Sequence, residues 1–297
     1  GDPQDPFSNN EPMFYESLML SKNAANSVFP CGSGLLWKSR SLKDIGGFPT
    51  WNLVEDFQSG AEALKRGWRG EYIPIVGAVT ETAPEDIPNV FKQRSIWASD
   101  ALRLMAYLDL KGMSLRQKLP FIEPGLFYIF ASTYFVQTLI PAFAMIYGIQ
   151  PVSGSGFDYF INVTPFLLAL YLFLLSLERK QGFGFRKIMN SIALSFGLGP
   201  VYLISLIKVL LLGPYRKPKY IVTRKFPIRG LYLLRIMPQI AIASFLSYGI
   251  YLSLFVIPTS ISEIPWVSIF WGGIHLLFLV KIIRLSWYKF SPIDQVR

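Results

Sequence analysis

Gly125-Leu126-Phe127-Tyr128-Ile129-Phe130-Ala131-Ser132-Thr133-Tyr134-Phe135-Val136 carries no charge and lies inside an apolar run over about 122–148. A run of that length fits the roughly 20 residues a helix needs to cross a bilayer. Three more follow, at about 160–177, 231–257 and 265–286, so four membrane spans are expected. The loops 149–159 and 258–264 contain no Lys or Arg, whereas 178–187, 214–229 and 281–289 are rich in both. The positive-inside rule then places residues 1–118 and the C-terminus in the cytoplasm, as parts of an integral protein of the plasma or inner membrane. The run 188–213 has basic flanks on both sides, is interrupted by Gly197, Gly199 and Pro200, and contains Lys208. It reads as a helix in the cytoplasmic interface.

Composition agrees with a chain that lies partly in lipid. Of 297 residues 52% are hydrophobic and 16% charged, against about 25% charged in an ordinary soluble domain. The net charge of +10 is mostly cytoplasmic loop charge, and it also suits anionic partners such as lipid headgroups or a nucleotide diphosphate. Nucleic acid is not expected, because the basic residues flank apolar runs instead of forming a basic soluble face. Cys31 is the single cysteine and His275 the single histidine, which excludes an intrachain disulfide and argues against a His/Cys zinc site. His275 lies in an apolar run, where packing or a helix–helix hydrogen bond is its ordinary role. The chain begins at Gly1 with no signal-peptide pattern, and it reads as the C-terminal part of something longer.

Residues 1–98 read as α/β. Ser27 to Trp37 has the composition of a strand with a small-residue interruption, and Gly70 to Val79 that of a second. Ser39 to Ile45 predicts a short helix ended by Gly46-Gly47. Glu55 to Arg66 predicts another, with acids in its first turn and bases in its last, as the helix dipole favours. Asn89 to Leu110 has the period of an amphipathic helix, with Lys92, Arg94, Asp100 and Arg103 among its polar positions. Leading straight into the first span, it is expected along the interface over 99–118, followed by a membrane domain over 119–297.

Three short polar motifs stand out. Val54-Glu55-Asp56 starts a helix, where a charge pair stabilises by about 0.3–1 kcal/mol without any chemistry. The same carboxylate could accept the proton of a sugar hydroxyl attacking an anomeric carbon. In Gln93-Arg94-Ser95-Ile96-Trp97, Gln93 and Trp97 share a helix face one turn apart. They serve equally as an interface anchor or as a sugar platform, the indole covering the ring and the amide bonding a hydroxyl. Tyr220-Ile221-Val222-Thr223-Arg224-Lys225 lies in the basic loop 214–229.

In this order, and with apolar runs between the second and third, the motifs resemble those of the processive family 2 glycosyltransferases, bacterial cellulose synthase catalytic subunits foremost. The family's Thr-Glu-Asp is Val54-Glu55-Asp56 here, its Phe-x-Cys-Gly-Ser is Phe29-Pro30-Cys31-Gly32-Ser33, and its Gln-x-x-Arg-Trp is Gln93 to Trp97. The gating loop, Phe-x-Val-Thr-x-Lys, is Tyr220 to Lys225. The resemblance implies the C-terminal half of a GT-A-like domain over 1–98. It makes Asp56 the general base beside Glu55, and has Phe29, Cys31, Gly32 and Ser33 line the acceptor pocket. Trp97 stacks on the terminal sugar with Gln93 nearby, and Thr223, Arg224 and Lys225 close over the nucleotide diphosphate. It further implies a UDP-sugar donor, a growing β-glucan that leaves through the membrane part, and accessory secretion subunits. Aromatic residues such as Tyr128, Tyr134 and Trp271 are candidates to line the exit path, with packing or lipid contact the plainer role for each. Mg2+ or Mn2+ is implied for the full-length enzyme, its Asp-x-Asp ligands and the uridine-binding aspartates falling ahead of residue 1.

The sequence departs from the family at Ile96, where an arginine that helps hold the diphosphate is expected; Arg94, two positions away, leaves the helix on another face. The leading expectation is an inverting, processive synthase polymerising a cellulose-like β-glucan from UDP-glucose. The alternatives are a sibling synthase using another UDP-sugar for a hyaluronan, chitin or glycolipid product, and a membrane transporter or scaffold. The last is disfavoured because the spans lack the paired acids and bases of ion-coupled transport.

Overall fold

The computed structural model describes residues 7, 14–78, 83–149, 155–181, 185–213, 215–217, 219, 230–256 and 264–288. The described chain is mostly helical. A π-helical turn, Phe14–Leu18, leads into α1 (Met19–Ala24), followed by α2 (Ser39–Asp44), α3 (Glu55–Lys65) and α4 (Ile87–Tyr107). The apolar half holds α5 (Leu115–Gln137), α6 (Leu139–Tyr147), α7 (Gly156–Gln181), α8 (Phe185–Gly197), α9 (Gly199–Leu212), α10 (Met237–Phe255) and α11 (Trp266–Leu285). Among the described residues the one sheet is a two-residue antiparallel pair, β1 (Gly230–Leu231) with β2 (Trp287–Tyr288), in register Gly230 to Tyr288.

The expected α/β character of the first 98 residues is therefore overturned. The segments 27–37 and 70–78 contain no strand, and local geometry says why. Gly32 and Gly34 have φ of +80° and +62°, which breaks the extended path within the first segment. The second runs beside it, Gly70 against Val28 and Gly77 against Gly34. However, the carboxamide of Asn23 takes the backbone sites a neighbouring strand would use: its Oδ1 accepts from Tyr72 N at 2.8 Å and its Nδ2 donates to Tyr72 O at 2.8 Å. β-Favourable residues without a paired neighbour remain extended coil.

The helices expected in this region are present. α2 ends with Gly46 and Gly47 at positive φ, and Gly47 N returns to Leu42 O at 2.9 Å. α4 is capped by Asp86, whose Oδ1 accepts from Asn89 N at 2.8 Å, and α5 by a Ser114/Gln117 capping box.

Among the described residues four helical stretches are long and apolar enough to cross a membrane: Leu115–Tyr147, Gly156–Ser176, Leu233–Phe255 and Trp266–Leu285. They match the four expected runs. Where one helix was expected over 188–213 there are two, α8 and α9, bent by 47° and together apolar enough to form a broken span or a re-entrant loop. The break falls at Gly197-Leu198-Gly199-Pro200, since Pro cannot donate to the preceding turn.

α4 packs on α5 and α9, and α11 on α8, α6 and α10. One core lies between α4, α5 and α9 around Ile87, Val90, Leu102, Leu198 and Tyr202. A second joins the first 70 residues to α4 and α5 through Phe29, Phe57, Leu104 and Phe121. α7 stands at the edge of the bundle with none of its apolar window buried in protein, as a lipid-facing helix would.

Candidate active site

Asp56 sits in the first turn of α3, next to Glu55. Its Oδ1 accepts from Phe57 N at 2.8 Å, and its Oδ2 faces Gly32, where a Cβ would stand 3.6 Å away. The left-handed φ of Gly32 lets the turn after Cys31 bend round the carboxylate. Burial pushes Asp56 up to about 6, the Glu55 charge adds to the rise, and the Phe57 N–H opposes it. Glu55 itself is exposed, and its carbonyl accepts from Ser59 Oγ at 2.5 Å.

The Phe29 to Ser33 segment divides into an anchor and a turn. Phe29 is buried, its ring 4.5 Å from that of Phe57 and 5.7 Å from that of Phe121. Gly60 on α3 admits it, because a Cβ at Gly60 would come within 2.7 Å of Phe29 Cβ. This lock fixes the following turn at the start of α3, with Gly32 and Ser33 exposed and Cys31 half-buried. Burial and then the neighbouring Asp56 charge push the Cys31 thiol up to about 12, against a smaller lowering from Lys22. At neutral pH the Cys31 thiol is therefore protonated.

Gln93 and Trp97 lie one turn apart on α4, Gln93 half-buried and Trp97 38% exposed. The Arg94 guanidinium covers the Trp97 ring at 4.7 Å, the i, i+3 stagger bringing the two together. Thr223, Arg224 and Lys225, with the rest of Tyr220 to Lys225, lie outside the described residues. The segment leading to them is described: Lys217 Nζ donates to Thr50 O at 2.7 Å, and the Tyr215 ring lies 5.3 Å from that of Tyr107. Lys217 therefore lies against the stretch just ahead of α3.

The residues that tie the motifs together were not singled out in the sequence. Asp100 and Arg103 count there as polar positions of an amphipathic helix, yet both are fully buried and paired at 2.5 Å. Asp100 also accepts from Leu53 N. Arg103 donates to Trp51 O at 3.1 Å and lies over the Trp51 ring at 4.6 Å. The helix bearing Gln93 and Trp97 thus grips the loop that delivers Glu55 and Asp56. The one available signal was an acid and a base three apart on the same helix, a pattern also common on solvated faces.

Within the spans, Trp271 Nε1 donates to Tyr159 OH at 2.7 Å, and Tyr134 OH lies 3.2 Å from His275 Nε2. His275 has the packed, helix-bridging role expected of it. Tyr128 packs in the core with its ring 5.0 Å from that of Tyr202. Among the described residues no three His, Cys, Asp or Glu side chains cluster as metal ligands. The described residues do not fit a divalent cation.

A half-buried carboxylate of raised proton affinity beside a small-residue turn has the chemistry of a general base. The exposed indole of Trp97 stands on α4, which is tied to the loop ahead of α3 through Asp100 and Arg103. No hydrogen bond or ring contact joins Trp97 to Asp56 among the described residues. The chain is 27% identical over 140 residues to a UDP-forming cellulose synthase catalytic subunit of Dictyostelium discoideum, covering 43% of this chain and 13% of that protein. It is 24% identical over 219 residues to putative cellulose synthase 2 of Komagataeibacter xylinus, covering 72% and 14%. It is 26% identical over 121 residues to the UDP-forming cellulose synthase catalytic subunit of Xanthomonas axonopodis pv. citri, covering 40% and 16%. The matches thus cover only about a seventh of these relatives. The model of the glycosyl transferase family group 2 matches residues 8–283, nearly the whole chain, and the protein belongs to that family.

Proposed function

We propose that this chain forms the acceptor side and membrane part of an inverting, processive glycosyltransferase that polymerises a cellulose-like β-glucan from UDP-glucose and passes it across the membrane. The observation that carries this reading is the Asp56 carboxylate, held against Gly32 with its proton affinity raised to about 6. In the proposed step the terminal sugar rests on Trp97 and its hydroxyl oxygen attacks the anomeric carbon of the donor. Asp56 takes the hydroxyl proton as the bond to UDP breaks, the leaving diphosphate keeps the bonding electrons, and the configuration inverts. A base with an affinity near 6 is mostly ionised at neutral pH yet still accepts a proton well. Thr223, Arg224 and Lys225 would neutralise the diphosphate and exclude water. The catalytic part faces the cytoplasm in this reading, and accessory subunits take up the secreted product.

Ile96 supports a second reading, a sibling synthase using another UDP-sugar, because it stands where the motif's arginine is expected. One experiment separates the two. The full-length protein in membrane vesicles with Mg2+ or Mn2+ is offered radiolabelled UDP-glucose, UDP-N-acetylglucosamine and UDP-glucuronate. β-Glucanase-sensitive polymer from UDP-glucose alone supports the glucan synthase. Incorporation only from another donor supports the sibling, and incorporation from none overturns both.

A further inference from the structure

A cleft of about 990 Å³ opens between α4 and α9, bordered by Gly213, Lys217 and Tyr232. Lys208, Arg216, Lys219 and Arg235 stand on its wall, and Ile204 and Leu212 give it an apolar side. Asp56, Gln93 and Trp97 are not among its lining residues, whereas Ser95 and Ile96 of the same motif are. Ile204 and Leu212 are each 50% exposed, surface that a bilayer would cover with acyl chain. Lys208 is the one charged residue in the apolar helix α9, and Arg235 lies in the first turn of the Leu233–Phe255 stretch, just ahead of α10. Both positions suit cations that reach to the headgroup layer.

The charge balance calls for an anion. None of these four cations is in an ion pair among the described residues. The one acid on the wall, Asp86, is buried and committed to capping α4. Converging like charges repel unless an anion sits among them. We propose that the cleft binds the phosphate of an anionic phospholipid, the cations facing its oxygens while Ile204 and Leu212 take the first methylenes of an acyl chain. A free diphosphate would satisfy the cations but leave the apolar side uncovered. The inference rests on the membrane placement of α9 and α10, not on the reaction proposed above.

The test is native mass spectrometry of the purified intact protein with dioctanoyl-phosphatidylglycerol, dioctanoyl-phosphatidylcholine or inorganic pyrophosphate. Retention of phosphatidylglycerol over phosphatidylcholine is expected, undisturbed by pyrophosphate. Lys208→Gln with Arg235→Gln should weaken retention by about fivefold for each charge removed. Lys208→Arg with Arg235→Lys should preserve it, and serves as the control for folding. Equal retention of the two lipids, or unchanged retention in the neutralised variant, would overturn the proposal. Displacement by pyrophosphate would also overturn it and assign the cleft to a free diphosphate.

Discussion

Asp100 and Arg103 form a fully buried ion pair on α4, and each also holds the backbone of the loop that leads into Asp56. The pair couples two motifs 37 positions apart, counted from Asp56 to Gln93. Removing one partner leaves the other charge buried, so Arg103→Ala or Asp100→Ala should destabilise by about 3–5 kcal/mol. The double variant Asp100→Ala/Arg103→Ala should cost less than the sum of the two. Thermal melting of the solubilised protein measures both, and an additive double variant would show that the pair is not coupled.

The second prediction concerns pH. Burial makes Asp56 bind its proton more tightly folded, at about 6, than at its ordinary 3.8. Between those values the folded chain holds more protons than the unfolded one, so stability falls as pH rises through that window. Asp56→Asn should remove this penalty, raising the melting temperature at pH 8 by roughly 2–4 °C for each kcal/mol relieved, with little effect at pH 4. Transfer should do the opposite: its rate rises with pH through about 6 in the native enzyme and is abolished in Asp56→Asn. A stabilised variant that still turns over would leave Asp56 a structural carboxyl and remove it from catalysis.

Cys31 offers a direct reading of the same site. With its thiol pushed up to about 12 by burial and by Asp56, alkylation by iodoacetamide at pH 8 should be far slower than for a free cysteine thiol. Asp56→Asn takes away the second of these causes and should speed the labelling. No change in rate would place the carboxylate further from Cys31 than the structure does.

The Arg94 and Trp97 pair predicts a split phenotype. Arg94→Leu should cost about 0.5–1 kcal/mol of stability through the lost cation–π contact. Trp97→Ala should lower elongation more than donor binding, measured as chain length against UDP affinity. Equal losses would make the indole a packing group.

Gln239 holds the α8–α9 bend. It is fully buried on α10, and its Nε2 donates to Gly197 O at 2.7 Å. Gln239→Leu would leave that carbonyl unpaired at a cost of about 1–3 kcal/mol. Faster hydrogen exchange confined to 188–212 would mark the loss as local.

The sequence by itself determined the membrane half. Apolar runs of bilayer length and the placement of Lys and Arg are local properties, and the four runs recur as helices because a helix satisfies its own backbone without any partner. It also determined α3, from the charges in its end turns, and α4, from its amphipathic period. It failed on the strands, because a strand exists only through its neighbour, and here the Asn23 side chain and two left-handed glycines stand where a ladder would run. The motif residues could be named from their order, but their assembly could not. That Phe29 locks into Gly60 to set the turn against Asp56, that Arg94 covers Trp97, and that Asp100 with Arg103 binds one motif to the other are contacts between distant segments. Their energy comes from burial, and burial is decided only when the helices pack.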